Sequence, residues 1–127
     1  MGVTTRAEVL RGLADAMRGR FFELAAWEVF ECAKPWREAT NDVCEAIDFC
    51  EYYRRTAVAF DEIHGVDTAG RGVVAVIPPW NFPIAIPCGG VASALAAGNT
   101  VILKPASNTV MTAYVLAQCF WRAGVPR

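Results

Sequence analysis

The chain has 127 residues, a formal net charge of −1 and 54% hydrophobic residues, which is enough apolar surface for one ordinary folded domain. The near-neutral charge argues against a nucleic-acid-binding surface. Five cysteines without a Cys-x-x-Cys pair, together with a single histidine, give no zinc-binding pattern and favour the reduced thiols of a cytoplasmic protein.

Two amphipathic helices are predicted near the amino terminus. Thr5 and Glu8 have the spacing of a capping box, which marks the start of a helix. The apolar stripe that follows at three- and four-residue steps consists of Leu10, Leu13, Met17, Phe21 and Leu24. A second helix is expected from about Phe21 to Cys32, because the residue before Pro35 disfavours helical backbone.

A long third helix is predicted to begin between Trp36 and Asn41. The apolar residues that follow at helical spacing are Val43, Ile47, Cys50, Tyr53, Ala57 and Phe60. This stripe is best explained as a face of the core, in which Cys44 and Cys50 are small buried hydrophobic residues. Residues 61–71 are predicted to form a loop, and the sequence names no partner for its histidine, His64.

The segment Gly72–Pro105 is the most apolar part of the chain. It has no charged side chain from Val73 to Leu103, which is long enough to raise the question of a membrane-spanning helix. Four prolines in the first half of this segment would leave backbone carbonyls unpaired in lipid: Pro78, Pro79, Pro83 and Pro87. A buried strand–helix–strand unit is therefore predicted instead.

The two predicted strands are Val73–Ile77 and Thr100–Leu103. Both are short runs rich in β-branched residues without polar alternation, which is typical of parallel strands that are covered on both faces. Pro83 suits the first turn of the helix between them, and Gly98 suits its left-handed stop. The three elements predict one right-handed crossover.

Residues that could bind a ligand or take part in catalysis follow each predicted strand. Pro79-Trp80-Asn81-Phe82-Pro83 comes after the first strand, and Lys104-Pro105-Ala106-Ser107 comes after the second. In open parallel sheets, ligands bind beyond the carboxyl ends of the strands, so we expect a ligand site between these two turns. A last helix is predicted over Val110–Trp121, with Ser107 or Asn108 as its cap.

Three motifs resemble the aldehyde dehydrogenase superfamily in their order and spacing: Pro-Trp-Asn-Phe-Pro at 79–83, Leu-Ala-Ala-Gly-Asn-Thr at 95–100 and Leu-Lys-Pro at 103–105. Ala-Ile-Asp-Phe at 46–49, followed by Tyr-Tyr at 52–53, resembles the 1-pyrroline-5-carboxylate dehydrogenases. That branch includes the carboxy-terminal half of bifunctional proline-utilisation proteins. Residues 31–35 resemble the family's Glu-x-Gly-Lys-Pro segment with Ala33 in place of the glycine, so a less left-handed turn is expected there.

The resemblance implies an α/β fold. An amino-terminal helical segment, residues 1–71, would precede residues 72–127, a parallel βαβα segment that forms the first part of a Rossmann-like domain binding NAD or NADP. The chain would be an amino-terminal piece of a longer cytoplasmic enzyme, inactive alone because the family's catalytic cysteine and glutamate lie beyond Arg127. The expected substrate is a small-molecule aldehyde, glutamate semialdehyde, oxidised to glutamate in proline catabolism.

The resemblance also implies roles for individual residues. Asn81 would donate from its side-chain amide to the substrate oxygen that becomes negative, and Lys104 would reach the adenosine ribose of the cofactor. The remaining cofactor-binding residues would be Ile77, Pro78, Pro79, Trp80, Ala106 and Ser107. Many relatives have glutamate at the position of Ser107, so weaker discrimination against NADP is expected. From the residues alone, a turn-stabilising role is favoured for Asn81 and a solvated strand end for Lys104.

Two alternatives stay open: an aldehyde dehydrogenase with another substrate, and a non-catalytic module that binds a nucleotide or a partner chain. Cys88 is near Asn81, but it falls within the predicted crossover helix rather than in a nucleophile motif. No nucleic-acid or membrane partner is expected. Because two parallel strands with apolar faces cannot cover themselves, we expect a homo-oligomer or a self-associating chain.

Overall fold

A computed structural model describes residues 1–127, and it has the predicted order of helices followed by a parallel βαβα unit. The elements are α1 (Val3–Gly19), α2 (Phe21–Cys32), α3 (Trp36–Asp61), β1 (Val73–Val76), α4 (Ala85–Ala96), β2 (Thr100–Leu103) and α5 (Val110–Arg122). The predicted α/β fold is therefore confirmed. No helix combines the length and the apolar character that a membrane span requires.

One cluster of 21 buried residues joins the amino-terminal helices to the crossover unit. The α1 stripe enters this core through Leu10, Leu13 and Met17, each at most 1% exposed. Burial of a side chain of this size contributes roughly 1.5–3 kcal/mol. Helix α4 is apolar on all sides and packs against α1, α3 and both strands, which explains why it has no polar face.

The ends of the first two helices differ from the prediction. Helix α1 begins at Val3 without a side-chain cap, and Glu8 binds Arg11 at 2.6 Å instead, so the predicted capping box was wrong. Helix α2 ends at Ala33, which adopts a left-handed conformation (φ 55°, ψ 30°) although it is not a glycine. The expectation of a less left-handed turn was therefore wrong, because the Ala33 N–H bonds back to the Glu28 carbonyl and fixes this geometry.

The helix α3 face is only partly as predicted. Val43, Ile47 and Cys50 are buried, whereas Phe60 is 54% exposed because the end of the helix extends past the core. Cys44 is exposed, so its predicted burial was wrong; it lies one residue away from the buried stripe. His64 is exposed in the loop that follows.

The two strands pair in parallel from Val73 opposite Thr100 to Val76 opposite Leu103. Helix α4 covers one face, and Gly90 allows its close approach, because a Cβ there would come within 2.8 Å of Val76. The other face is open, with Ile102 60% exposed. Their composition is typical of strands covered on both faces, but within this chain helices cover one face only, in line with the expectation that the two strands cannot cover themselves.

The crossover helix begins later than expected. Pro83 is buried in the turn before α4, and the helix starts two residues after it, so Pro83 does not occupy the first helical turn. Gly98 ends the connection with φ 85°, as predicted. Asn99 then accepts hydrogen bonds from Arg71 N (2.6 Å) and Gly72 N (3.1 Å), which ties the start of β1 to the start of β2.

Helix α5 is capped from another helix rather than by Ser107 or Asn108. Its N-cap residue, Thr109, makes no capping hydrogen bond with its side chain. The carboxylate of Glu31, on α2, instead accepts from the backbone N–H groups of Met111 (2.8 Å) and Thr112 (2.7 Å) and from the Thr112 hydroxyl (2.6 Å). The predicted local cap was wrong because this distant acid already satisfies the free helix donors.

Candidate functional site

The two turns predicted to carry the site leave the same end of the sheet. The last residues of the strands, Val76 and Leu103, lie opposite each other in the parallel register. Lys104 continues the pairing, since its N–H donates to the Val76 carbonyl at 2.9 Å. The turn that contains Asn81 and the turn that begins with Lys104 therefore start from neighbouring points on one sheet edge.

Most of the predicted site residues are exposed at this edge. Ile77 is 69% exposed and Trp80 is 52% exposed. Pro79, Asn81, Lys104 and Ser107 are also exposed, whereas Ala106 is half-buried and Pro78 is buried. The site therefore offers apolar and polar groups to the same volume of solvent.

The two polar groups of greatest interest have no partner within the chain. The carboxamide of Asn81 makes no hydrogen bond, and the ammonium of Lys104 makes neither a hydrogen bond nor an ion pair. A neutral donor and a cation that are both unsatisfied and accessible can bind oxygen atoms of a ligand without first breaking internal bonds. The donor set suits a ligand that carries hydroxyl or carbonyl oxygens.

The main chain at Asn81, in contrast, is held by a lysine from the other end of the chain. The Lys34 ammonium donates to the Asn81 carbonyl at 3.0 Å and lies 4.1 Å from the centre of the Phe82 ring. The Lys34 side chain is only 10% exposed. The Lys34 ammonium thus binds the turn and is largely shielded from solvent.

Asp42 holds the other end of the same turn. One of its carboxylate oxygens accepts from the backbone N–H groups of Ile84 (3.1 Å) and Ala85 (3.3 Å), which start helix α4. A carboxylate at this position also interacts favourably with the helix dipole. Asp42 is 1% exposed, so this cap lies inside the core.

Glu28 completes the buried group. Its carboxyl is fully buried, and Lys34 Nζ lies 3.4 Å from Glu28 Oε2 and 3.7 Å from Asp42 Oδ1. Burial, reinforced by the negative charge of Asp42, raises the pKa of Glu28 to about 9. A pKa of about 9 favours the protonated form of Glu28 at neutral pH. Neither carboxyl oxygen of Glu28, nor Oδ1 of Asp42, has a hydrogen-bond partner.

Glu28, Lys34 and Asp42 were not predicted from the sequence as part of the site. A signal was present for Asp42, because it lies on the buried face of α3 beside Ala39 and Val43. Charged residues on an apolar face are almost never buried unless they are paired. Three such charges near one turn would have indicated an internal polar network.

Cys88 has the environment of a structural thiol. It is fully buried in α4, with its sulfur 3.6 Å from Cys50 Sγ. The hydrogen bond with Cys50, together with burial, raises its pKa well above the usual value for a thiol. Because the thiolate is the nucleophilic form of cysteine, Cys88 is unsuited to attack a substrate.

Comparison with known proteins places this geometry in a family. Residues 1–127 match the model of the Aldehyde dehydrogenase family. The 1-pyrroline-5-carboxylate dehydrogenase of Geobacillus thermodenitrificans is 44% identical over 133 residues, which cover 95% of this chain and 25% of that protein. The chain thus spans about a quarter of the length of this curated relative.

Two solved structures have the same backbone arrangement. A 1-pyrroline-5-carboxylate dehydrogenase from Thermus with bound NAD is 39% identical with a TM-score of 0.91, covering 99% of this chain and 27% of that one. Proline utilization A from Bdellovibrio bacteriovorus is 41% identical with a TM-score of 0.94, covering 100% of this chain and 14% of that one. The sequence, the fold and the two turns agree, and the chain belongs to the aldehyde dehydrogenase family.

Proposed function

We propose that this chain contributes to an NAD(P)-dependent dehydrogenase that oxidises glutamate semialdehyde, the open form of 1-pyrroline-5-carboxylate, to glutamate in proline catabolism. The observation that carries the proposal is the pair of unsatisfied groups, Asn81 and Lys104, on turns that leave one sheet edge. The substrate is suggested by the printed names of the similar proteins.

Asn81 would act on the substrate oxygen. When a nucleophile adds to an aldehyde, negative charge develops on this oxygen, and a fixed amide donor stabilises it without reorganisation. A neutral amide is suited to this role because it does not compete with the substrate for a proton. The fixed backbone and unsatisfied side chain of Asn81 support the assignment.

Lys104 would bind the cofactor, NAD or NADP, which accepts a hydride from the substrate when it is bound. The Lys104 ammonium would donate to the ribose hydroxyls, and the exposed apolar surface of the first turn would contact the flat rings or the ribose. The other residues proposed to line this groove are Ile77, Pro78, Pro79, Trp80, Ala106 and Ser107. Ser107 carries no charge to repel a 2′-phosphate, so we expect weak discrimination against NADP.

The division of the chain follows from these roles. Residues 72–127 would form the first part of the cofactor-binding domain, and residues 1–71 would support it. Cys88 and Cys119 are unsuited to act as the nucleophile, because the hydrogen bond with Cys50 and burial raise the pKa of Cys88, and burial raises that of Cys119. The family's catalytic cysteine and glutamate are expected beyond Arg127. We therefore expect no turnover from these 127 residues alone. The open strand face would be covered by another protein segment or by a second copy.

A chimera tests the two assignments. In it, this chain replaces the matching part of the Thermus dehydrogenase, and oxidation of 1-pyrroline-5-carboxylate is followed by the absorbance of NADH. We expect Asn81→Ala to lower kcat by about 10²–10³, the usual loss for one oxyanion donor. Lys104→Met should raise KM for NAD by about tenfold, because a cofactor contact worth about 1.4 kcal/mol is lost.

Asn108→Ala is the matched control, because Asn108 is also exposed and makes no side-chain hydrogen bond. It should leave kcat and KM within about twofold of the unsubstituted chimera. Should Asn81→Ala behave like this control, the oxyanion role would be wrong.

The alternatives give different results. A chimera that prefers another aldehyde by kcat/KM would assign this chain to a different member of the family. Titration of the 127-residue chain with NAD tests the alternative of a non-catalytic nucleotide-binding module. That alternative predicts tight binding of NAD by the isolated chain. We expect weak or no binding, because the described residues supply only one side of a cofactor groove.

A further inference from the structure

We propose that Lys34, Asp42 and Glu28 form a positioning network that fixes the backbone of the Asn81 turn and leaves the Asn81 carboxamide available to the substrate. The inference rests on the proposed function of Asn81. It adds three residues that do not touch the substrate and act through the turn.

The first argument is that the network holds the turn at both ends. Lys34 binds the carbonyl of Asn81 itself, and Asp42 binds the N–H groups of Ile84 and Ala85 on the far side. A segment with both ends bound to buried groups has little freedom to rotate about its axis. The direction of the Asn81 side chain is thereby restricted although the side chain has no partner.

The second argument is the desolvation penalty of burying these ionisable groups. Two carboxyl groups and an ammonium, each at most 10% exposed, lie in the core between α2, α3 and the turn. An apolar group of the same volume often stabilises a fold as well as a buried ion pair does. A network that apolar residues could replace as a whole without loss of stability, and that ends on the Asn81 carbonyl, is explained by a requirement for geometry.

The third argument is the balance of charge. With Glu28 protonated, Asp42 is the one carboxylate of the network left to pair with the Lys34 cation, 3.7 Å away. The other titratable groups near Glu28 are Cys32, whose thiol bonds to the Glu28 carbonyl, and Glu31, which points to α5. Neither offers a second cation. If Glu28 were ionised, Lys34 would have to pair with two carboxylates, and protonation of Glu28 avoids this.

Nuclear magnetic resonance of the unmodified 127-residue chain gives the first test. We expect a backbone order parameter near 0.85 at Asn81, as in rigid backbone, and slow hydrogen exchange at Ile84 and Ala85. An order parameter below about 0.6 at Asn81 would overturn the proposal without any substitution.

Substitution of Lys34 gives the second test. Lys34→Met removes the ammonium but keeps the chain length, and it should accelerate exchange at Ile84 by about tenfold or more and lower the Asn81 order parameter. Lys34→Arg restores the cation and should restore part of the rigidity. The control Arg37→Met removes an exposed cation near the start of α3 and should change neither quantity. Unchanged dynamics at Asn81 in Lys34→Met would refute the role.

The chimera separates positioning from stability and from the function of Asn81. Lys34→Met should lower kcat by about tenfold while KM for NAD stays within twofold, because misplacement of one donor affects the chemical step. A purely structural role would reduce the amount of active enzyme and leave kcat per active site unchanged, which would count against the proposal. If Asn81→Ala leaves kcat unchanged, the proposed function fails, and the exchange measurements still decide whether the network fixes the turn.

Discussion

Helices α4 and α5 each follow one strand of the proposed site, and each receives a carboxylate from a distant part of the chain at its first turn. Asp42 caps α4 inside the core, where it shares Lys34 with a second acid, Glu28. Glu31 caps α5 in a half-buried position and accepts three hydrogen bonds. Two caps with the same chemistry thus lie in opposite surroundings.

The two surroundings have opposite effects on the pKa values of Glu28, beside the α4 cap, and Glu31, the α5 cap. Burial and the Asp42 charge raise the pKa of Glu28 to about 9. Partial burial also acts to raise the pKa of Glu31, but the hydrogen bonds from Thr112 and Met111 outweigh it and lower the pKa below its ordinary value. Ionised Glu31 therefore stabilises the fold at neutral pH, whereas ionisation of Glu28 in the α4 network would destabilise it.

The largest expected effect comes from removing the cation of the buried network. Lys34→Met should lower the free energy of unfolding by about 3–5 kcal/mol at pH 7, because it leaves the buried carboxylate of Asp42 without a counter-ion. Urea unfolding followed by circular dichroism measures the loss. Arg37→Met should change the value by less than about 0.5 kcal/mol. Equal losses for the two variants would mean that the buried network is no more important than a surface charge.

The next effect concerns the proton on Glu28. The unfolded chain releases this proton near the ordinary pKa of 4.5, whereas the folded chain keeps it up to about pH 9, so stability falls as the pH rises between these values. Glu28→Gln removes this dependence. Its stability relative to the unmodified chain should increase by about 2 kcal/mol from pH 5 to pH 7. A difference that does not change with pH would show that Glu28 is ionised in the fold.

The contribution of Glu31, the α5 cap, should change with pH in the direction opposite to that of Glu28. Its charge-assisted hydrogen bonds predict that Glu31→Gln lowers the free energy of unfolding by about 2 kcal/mol at pH 7. Because the pKa of Glu31 is lowered, this contribution is complete above its ordinary pKa and is lost as the pH falls through the folded value. Urea titrations at pH 7 and pH 3 should therefore show the effect shrinking in acid. Glu62→Gln, an exposed acid after α3, is the control.

Local sequence patterns were sufficient for most of the fold but not for the two caps. The helix that ends at Cys32 and the strand Thr100–Leu103 follow from pre-proline geometry and β-branched composition, which act over a few residues. Glu31 and Met111 are 80 residues apart. A contact at that separation depends on how α2 packs against α5, and no nearby residue encodes it.

The candidate site, like the fold, was predictable where it depends on local patterns and not where it depends on distant contacts. The order of the motifs and the parallel register bring the Asn81 and Lys104 turns to one edge, and a βαβ crossover alone predicts this. The restraint on Asn81 from Lys34 was not predictable, because a lysine before a proline ordinarily lies in solvent. It becomes apparent only when three buried ionisable side chains are seen beside one turn.

The smallest effect concerns Ala33, which lies between the residues that serve the two caps, Glu31 and Lys34. Glu31 binds the start of α5 and Lys34 binds the Asn81 turn, and the left-handed conformation of Ala33 between them costs roughly 1 kcal/mol for a residue with a Cβ atom. Ala33→Gly removes this strain, although the unfolded chain gains flexibility that offsets part of the benefit. We expect a net stabilisation of about 0.5 kcal/mol with unchanged exchange at Ile84 and Thr112, measured by urea unfolding and nuclear magnetic resonance. A loss of stability would mean that the Ala33 methyl group, rather than its backbone conformation, supports the arrangement of the two caps.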